Sequence, residues 1–400
     1  MKAKYLKPFF GAYLASIFLS PLQAMENQES KALITQLATN IQNFERVNEV
    51  NPIITPNHEA TFYCPVKEQI SKWKCVNTFN PGAIVRDGKV HLLYRADDDT
   101  QCPMQVGTWS GILHTSRIGL AESSDGLHFE HKDTPVLFPD KDDELSYEWK
   151  GGCEDPRVVE TEDGKYIMTY TQANHPCELK DWKAQLAVAT STDLVNWKKH
   201  GYAFAKANDG KFGRRWSKSG SIVCRLEDDR LIATKVNGKY LMYWGEGDIH
   251  MATSDDLISW EPLLDESGEP IKIVEPRSGK FDSKLVEPGP PAIITKKGIS
   301  LFYNGKNAIE NGCPEIAPRA YSAGQIIFDI DKPTSIIARS ENCFIKPEKE
   351  FEKTGQYKDG TVFIQGLVHF QNKWFLYYGT ADSAIGVAIY NGSKLHKIGL

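Results

Sequence analysis

Pro81-Gly82-Ala83-Ile84-Val85-Arg86-Asp87-Gly88-Lys89-Val90-His91-Leu92-Leu93-Tyr94-Arg95 reads as two strands joined by a two-residue turn. Asp-Gly enters left-handed backbone space at little cost, and the flanking runs are β-branched, aliphatic and aromatic. The pattern returns along the chain. Asp163-Gly164 precedes Tyr166-Ile167-Met168-Thr169-Tyr170, and Asn237-Gly238 precedes Tyr240-Leu241-Met242-Tyr243-Trp244. A fourth unit ends Leu301-Phe302-Tyr303-Asn304 and a fifth ends Trp374-Phe375-Leu376-Tyr377-Tyr378. Three units continue into related turns, Ser123-Ser124-Asp125-Gly126-Leu127-His128-Phe129, Ser191-Thr192-Asp193-Leu194-Val195-Asn196-Trp197 and Ser254-Asp255-Asp256-Leu257-Ile258-Ser259-Trp260. Their aspartates stand 68 and 63 residues apart. Each Asp can close its turn through its side chain, with the aromatic four residues on packed beneath. A repeat of this length with about four strands suits a propeller blade. Five units fit between Asn51 and Leu400, so the fold expected is all-β, a five-bladed β-propeller. A short N-terminal helix is expected over residues 30–47, where Leu33, Leu37, Ile41 and Phe44 fall at helical spacing and Ser30 can cap the start.

The remaining composition is that of a globular protein. Of 400 residues, 41% are hydrophobic and 25% charged, and the 11% of aromatics suits both a core and the flat faces of sugar rings. Lys2, Lys4 and Lys7, the apolar run 9–19 and Leu22-Gln23-Ala24 read as an export signal cleaved after Ala24 and too short to span a bilayer. The mature protein is then expected to be a single propeller domain with its N-terminal helix, residues 25–400, in the periplasm or secreted. Cleavage removes three lysines and no acid, taking the formal charge from −5 to −8. Such a chain should repel nucleic acid and anionic membranes, leaving neutral polymers such as glycans as natural partners. Export permits disulfides among the eight cysteines, with Cys64–Cys75 and Cys102–Cys177 as possible pairs. Neither the cysteines nor the dispersed histidines show a ligand spacing, so no metal or other cofactor is expected.

Inner strands of a propeller meet at the axis, so polar residues at their ends converge from distant parts of the chain. At such places stand Asn80, the run Glu154-Asp155-Pro156-Arg157, Lys218, Glu246, Glu287 and Asp382, with Arg95, Asp97, Arg117 and Tyr303 at strand ends of the same units. Asp155 follows Gly151-Gly152, which allow a close turn, and precedes Pro156, which fixes entry to the strand. Glu246 follows Tyr243-Trp244-Gly245, and Glu287 precedes the rigid Pro288-Gly289-Pro290-Pro291. Singly, each acid reads as a solvated turn residue; matching places in successive units favour a shared pocket. Several carboxylates in one pocket suit glycoside hydrolysis, in which one group protonates the leaving oxygen and another activates water or attacks carbon. Crowding pushes their pKa values apart, so that one acid can stay protonated. The catalytic candidates are Asp155, Glu246 and Glu287. The candidates for binding sugar are Asn80, Arg95, Asp97, Arg117, Arg157, Lys218, Tyr303 and Asp382.

Asn80-Pro81-Gly82-Ala83, Leu93-Tyr94-Arg95-Ala96, Ser116-Arg117-Ile118-Gly119-Leu120-Ala121, Gly152-Cys153-Glu154-Asp155-Pro156-Arg157, Glu287-Pro288-Gly289-Pro290-Pro291 and Tyr378-Gly379-Thr380-Ala381-Asp382 together resemble glycoside hydrolase family 130, the five-bladed β-mannoside phosphorylases and β-mannosidases. The resemblance covers roughly residues 77–388. It implies that Asp155 passes its proton to the glycosidic oxygen through a hydroxyl of the bound mannose. It also implies that Arg95, Asp97, Arg117 and Asp382 hold that mannose, with Asn80 and Tyr303 beside them. Phosphorylases of the family carry a basic cluster for phosphate, including a His-Arg pair where this chain has Tyr243-Trp244-Gly245-Glu246. The pattern is similar instead to the family's β-1,2-mannoside hydrolases, in which two glutamates matching Glu246 and Glu287 replace the phosphate site. Lys218 is either a sugar ligand or a remnant of the basic cluster. The activity expected is that of an inverting, exo-acting glycosidase releasing mannose from β-1,2-linked mannosides. A β-mannoside phosphorylase forming mannose 1-phosphate and a non-catalytic glycan-binding propeller are the alternatives; phosphate dependence and sugar release separate the three.

Overall fold

The computed structural model describes residues 44–106, 109–174 and 183–390 and is nearly all-β. Five antiparallel meanders follow one another. The first is Asn77–Arg86, Lys89–Asp97, Ser116–Ser123 and Glu130–His131. The second is Gly152–Glu160, Tyr166–Asn174, Lys183–Ser191 and Lys198–Tyr202. The third runs from Ser221–Glu227, which also pairs with Arg230–Ala233, through Tyr240–Trp244 and His250–Ser254 to Glu261–Pro262. The fourth begins with the broken strand Leu285–Pro288 and Ala292–Thr295, then Gly298–Lys306, Tyr321–Phe328 and Ile336–Arg339. The fifth is Val362–Phe370, Lys373–Thr380 and Ala384–Tyr390.

The local signals act as their chemistry suggests. Asp87 and Gly88 take φ of 51° and 71° between strands paired Arg86 to Lys89, the geometry that matches strand twist. The Oδ1 of Asp125 accepts from the amides of Leu127 and His128 at 2.8 and 2.9 Å. Asp193 does the same for Val195 and Asn196, and Asp256 for Ile258 and Ser259. The indoles of Trp197 and Trp260 donate back to Leu194 and Leu257, seating the ring against its turn. First strands are covered on both faces: every residue of Gly152–Glu160 and of Val362–Phe370 is buried. Short parallel contacts, Gly152 with Ser116 and Val223 with Ala292, tie neighbouring meanders together.

The helix expected over residues 30–47 is not what forms at its C-terminal end. Glu45–Arg46 is a strand, pairing with Ile389 and Ala388, and it supplies the fifth meander with a fourth strand from the opposite end of the chain. Phe44 packs on Phe344 and Tyr390 at 5.8 and 5.9 Å between ring centres, and pairing along this edge satisfies backbone groups that a helix would leave open. The remainder of that helix and the export signal expected over 1–24 lie outside the described residues. The Cys64–Cys75 pairing is also corrected: both are buried free thiols. Cys64 Sγ lies 3.7 Å from the Arg117 guanidinium, while Cys75 donates to the Lys72 carbonyl at 3.1 Å, so the two sulfurs serve different partners. Cys102 is disulfide-bonded, and Cys177, its expected partner, lies outside the described residues.

The closing strand is pinned by charge. Arg46 donates to Glu352 Oε1 at 2.6 Å and to the Lys346 carbonyl at 2.5 Å, and Glu352 is fully buried, holding the Tyr378 hydroxyl as well. Arg46→Ala would leave that carboxylate without its counter-ion. The expected loss is ~3 kcal/mol, the cost of breaking a buried pair from one side. Urea unfolding at constant slope measures it; a change below about 0.5 kcal/mol would show that the strand does not depend on this contact.

Candidate active site

Backbone irregularities aim the side chains. The first strands of the first and second meanders each slip register, between Phe79 and Pro81 and between Glu154 and Arg157, leaving Asn80 and Asp155 in left-handed backbone with φ of 46° and 50°. Ser219 and Asp382, at 57° and 51°, share that conformation. Asn and Asp tolerate it better than most residues, and such strain gathers where function over-determines the backbone. Two glycines allow the close approaches. A Cβ on Gly379 would sit 2.1 Å from Asn80 Oδ1, and one on Gly152, whose φ is 104°, 2.1 Å from the Ser116 carbonyl. At Gly152 the clash would be with backbone, and at Gly379 the Asn80 side chain would be driven from its place.

These ends meet in a cavity of about 340 Å³. Asn80, Arg95, Asp155, Lys218, Glu246, Glu287 and Asp382, all expected at the site, line it together. Asn80 Nδ2 donates to Asp155 Oδ1 at 2.9 Å. Arg95 Nη1 lies 3.2 Å from Glu154 and 3.6 Å from Asp155, and Lys218 Nζ lies 3.6 Å and 3.8 Å from the same two carboxylates. The Arg95 guanidinium stacks 4.6 Å from the Phe79 ring centre and donates to Ser116 Oγ at 2.9 Å. The Trp216 indole donates to Glu246 Oε2 at 2.7 Å, and the Ser219 hydroxyl donates to Glu287 Oε1. A larger groove of about 710 Å³ beside Trp197 has no carboxylate in its lining and carries no comparable chemistry.

Four expected ligands stand outside the lining. Arg157 is buried with its guanidinium on backbone carbonyls, Nε to Gly289 at 2.7 Å and Nη2 to Pro288 at 2.8 Å, so it shapes the loop carrying Glu287. Arg117 is enclosed by Asp98 at 2.9 Å, the Thr115 carbonyl at 3.1 Å and the Phe62 ring. Tyr303 donates to Asp282 at 2.6 Å within a buried network that includes Arg277 and Arg339. Asp97 accepts from Ser116 Oγ at 2.7 Å and Asn77 Nδ2 at 3.0 Å, supporting the residues behind Arg95. Conversely, Lys306, Tyr321, Tyr357 and Trp216 belong to the cavity or its rim and are not among the residues expected there from sequence, while Glu154, expected to converge but given no role, lines it as well. Lys306 ends the second full strand of the fourth meander, where Asp97 ends that of the first. That equivalence was the available signal.

Electrostatics divides the acids. Burial, then repulsion from Glu246, pushes Glu287 up to about 8 against the pull of Lys218, Arg157 and Ser219. Burial raises Asp382 to about 6, with Arg95 opposing and Asp155 adding. For Lys218 burial acts downward, but Glu246, Glu154, Asp155 and Glu287 outweigh it and hold the ammonium above its ordinary range. Lys218 thus links the Glu154–Asp155 pair to the Glu246–Glu287 pair. The arrangement can keep one carboxyl protonated near neutrality while others stay ionised beside cations.

A carboxyl whose pKa is higher folded than unfolded binds a proton that unfolding releases, so it costs stability as pH rises from ~4.5 towards 8. Glu287→Gln removes that titration. The variant should gain on the unmodified protein by about 3–4 kcal/mol between pH 5 and pH 8. Denaturant unfolding at the two pH values tests this; parallel stability curves would place the raised pKa elsewhere.

With the geometry in hand, three comparisons bear on it. The family model described as beta-1,4-mannooligosaccharide phosphorylase matches residues 44–398. A 1,2-beta-oligomannan phosphorylase of Thermoanaerobacter is 32% identical over 80% of this chain and 91% of its own. Among solved structures, a glycosyl hydrolase from Bacteroides ovatus is 48% identical, with a TM-score of 0.81, over 88% of this chain and 94% of its own. A structure from work on family members that hydrolyse β-1,2 mannosidic linkages in Candida mannan is also 48% identical, with a TM-score of 0.82 and the same coverage.

Proposed function

The chain belongs to glycoside hydrolase family 130, and from that premise we propose that it is an inverting, exo-acting β-1,2-mannosidase that uses water rather than phosphate. The five meanders are read as propeller blades around the cavity, the fifth completed by Glu45–Arg46, in one catalytic domain exported on the signal at 1–24. The observation that carries the reading is the pairing of Glu246 with Glu287 in the cavity, each felt by the other's neighbours and joined through Lys218. A phosphate dianion there would lie beside the Glu246 carboxylate; at about 4 Å and an effective dielectric near 20, that unit-charge pair opposes it by roughly 4 kcal/mol. The cations Arg95 and Lys218 already face Glu154 and Asp155. Identity near one half to hydrolases, against about one third to phosphorylases, supports the same choice.

In this reading the mannoside lies between two walls. Asp155, oriented by Asn80, sends its proton through a mannose hydroxyl to the leaving oxygen. Glu246, half-exposed and fixed by Trp216, removes a proton from the attacking water. Glu287, desolvated and neutral below about 8, donates a hydrogen bond that holds the water. The C1–oxygen bond breaks as water adds from the opposite face, so the anomeric centre inverts. Incubation with β-1,2- and β-1,4-mannobiose, with and without phosphate, is the direct test. Mannose released from the β-1,2 isomer without phosphate, appearing first as the α-anomer by NMR, is expected. Mannose 1-phosphate as product would instead establish the phosphorylase reading, which the description of the matching family favours.

The division of labour has its own signature. Asp155→Asn and Glu246→Gln should each lose at least about 100-fold in turnover, the scale of general acid or base catalysis. Glu287→Gln resembles the protonated acid and should lose less. Because Glu287 acts as its neutral form, activity of the unmodified enzyme should fall as pH rises through about 8, and that limb should vanish in Glu287→Gln. A larger loss at Glu287 than at Glu246 would exchange their roles.

A further inference from the structure

We propose that Lys306 is a sugar-binding residue whose ammonium, paired with the Asp382 carboxylate, grips one vicinal diol of the sugar in the cavity. The inference rests on the mannoside reading and adds to it the residues that select the sugar.

Lys306 lines the cavity at the end of Gly298–Lys306. Its ammonium lies 4.9 Å from the Tyr321 ring centre and 5.1 Å from that of Tyr357. The two rings meet edge to face at 5.7 Å, and the Tyr357 hydroxyl is fixed on the Arg319 carbonyl at 2.9 Å. This is a rigid seat for a cation. Ring faces stabilise its charge but offer no oxygen to its three N–H donors. Arg95 and Lys218, in the same cavity, each lie within 4 Å of carboxylates. Lys306 differs. Among the described residues its ammonium feels the charges of Asp382, Glu246 and Asp359 without a hydrogen bond to any of them, while burial works against its charge. A partly desolvated ammonium that points into a cavity and has donors to spare is arranged for acceptors brought by a ligand.

Charge identifies the class of ligand. An anion on Lys306 would also face Asp382 and Glu246. A neutral polyol fits both sides: one hydroxyl accepts from Lys306, and its neighbour donates to Asp382. A donor and an acceptor lining the same cavity can together fix two adjacent hydroxyls in one orientation, which discriminates between epimers more sharply than either group alone.

The test uses Lys306→Met, which keeps the stem over the rings and removes the donors, with Lys306→Gln as a second variant should the first fail to fold. Turnover of β-1,2-mannobiose is measured together with calorimetric binding of mannose and its monodeoxy analogues. Unmodified enzyme that releases mannose supports the mannoside reading on its own; an enzyme that neither binds nor cleaves mannosides overturns that reading before Lys306 is considered. Given activity, the variant should raise KM and the Kd for mannose about 10- to 100-fold, as for loss of a charged hydrogen bond, with kcat changed less than about threefold. One monodeoxy mannose should bind unmodified enzyme more weakly than mannose does, yet bind Lys306→Met equally. A folded variant with unchanged mannose affinity, or one equally weakened towards every analogue relative to unmodified enzyme, would overturn the assignment.

Discussion

Backbone carbonyls stranded where the first strands of different meanders converge set the central constraint on this molecule. These strands pair with one another in short parallel stretches such as Val223 with Ala292, and the buried carbonyls left over need other donors. Side chains supply them across the junction. Gln365 donates to the carbonyls of Asn80 and Pro156 at 2.6 and 2.8 Å, linking the fifth meander to the first and second. Arg157 takes Pro288 and Gly289, linking the second to the fourth, and Ser221 donates to Gly289 and Pro290, linking the third to the fourth. Asn304 exchanges two bonds with the backbone of Ile364. The bulges that free the Asn80 and Pro156 carbonyls are the same ones that push Asn80 and Asp155 forward, so at these two strands stability and site geometry share one cause.

The cavity built on that junction is rich in charge and biased to acid. Glu154, Asp155, Glu246, Glu287 and Asp382 face Arg95, Lys218 and Lys306. In a poorly solvated space such a set persists only if cations interleave with carboxylates and some acids hold their protons. Both conditions are met: Lys218 is shared among four carboxylates, and Glu287 and Asp382 are raised to about 8 and 6. The excess of acid favours a neutral ligand over an anionic one, which is the physical basis of the proposal that water rather than phosphate attacks.

Much of this was legible in the order of residues. The Asp-Gly and Asn-Gly turns, the three Ser-x-Asp turns and the aromatic strand ends marked the meanders, because turn chemistry and strand periodicity are local. Asn80, Arg95, Asp155, Lys218, Glu246, Glu287 and Asp382 could be nominated because each stands near the start or end of a strand, and such places in a repeated unit converge. The helix expected to reach residue 47 failed at Glu45–Arg46 for the opposite reason. Its spacing was helical, but the partner that decides its conformation, Ala384–Tyr390, lies more than 300 residues away.

What sequence alone determined, then, was the kind of structure and the kinds of groups present: a repeated β-unit, and carboxylates with arginines and lysines at its strand ends. Which of those groups face a ligand was decided by tertiary structure. Arg157 and Arg117 carry the same guanidinium as Arg95, yet the first is held by Pro288 and Gly289 and the second by Asp98, while Arg95 lines the cavity. Lys306 and Tyr321 enter the cavity from the fourth meander; Lys306 holds the strand-end position that Asp97 holds in the first, yet Asp97 stays outside the lining. Residue type is a local property. The direction of a side chain depends on a one-residue slip in pairing, and its partners on strands brought together from distant parts of the chain.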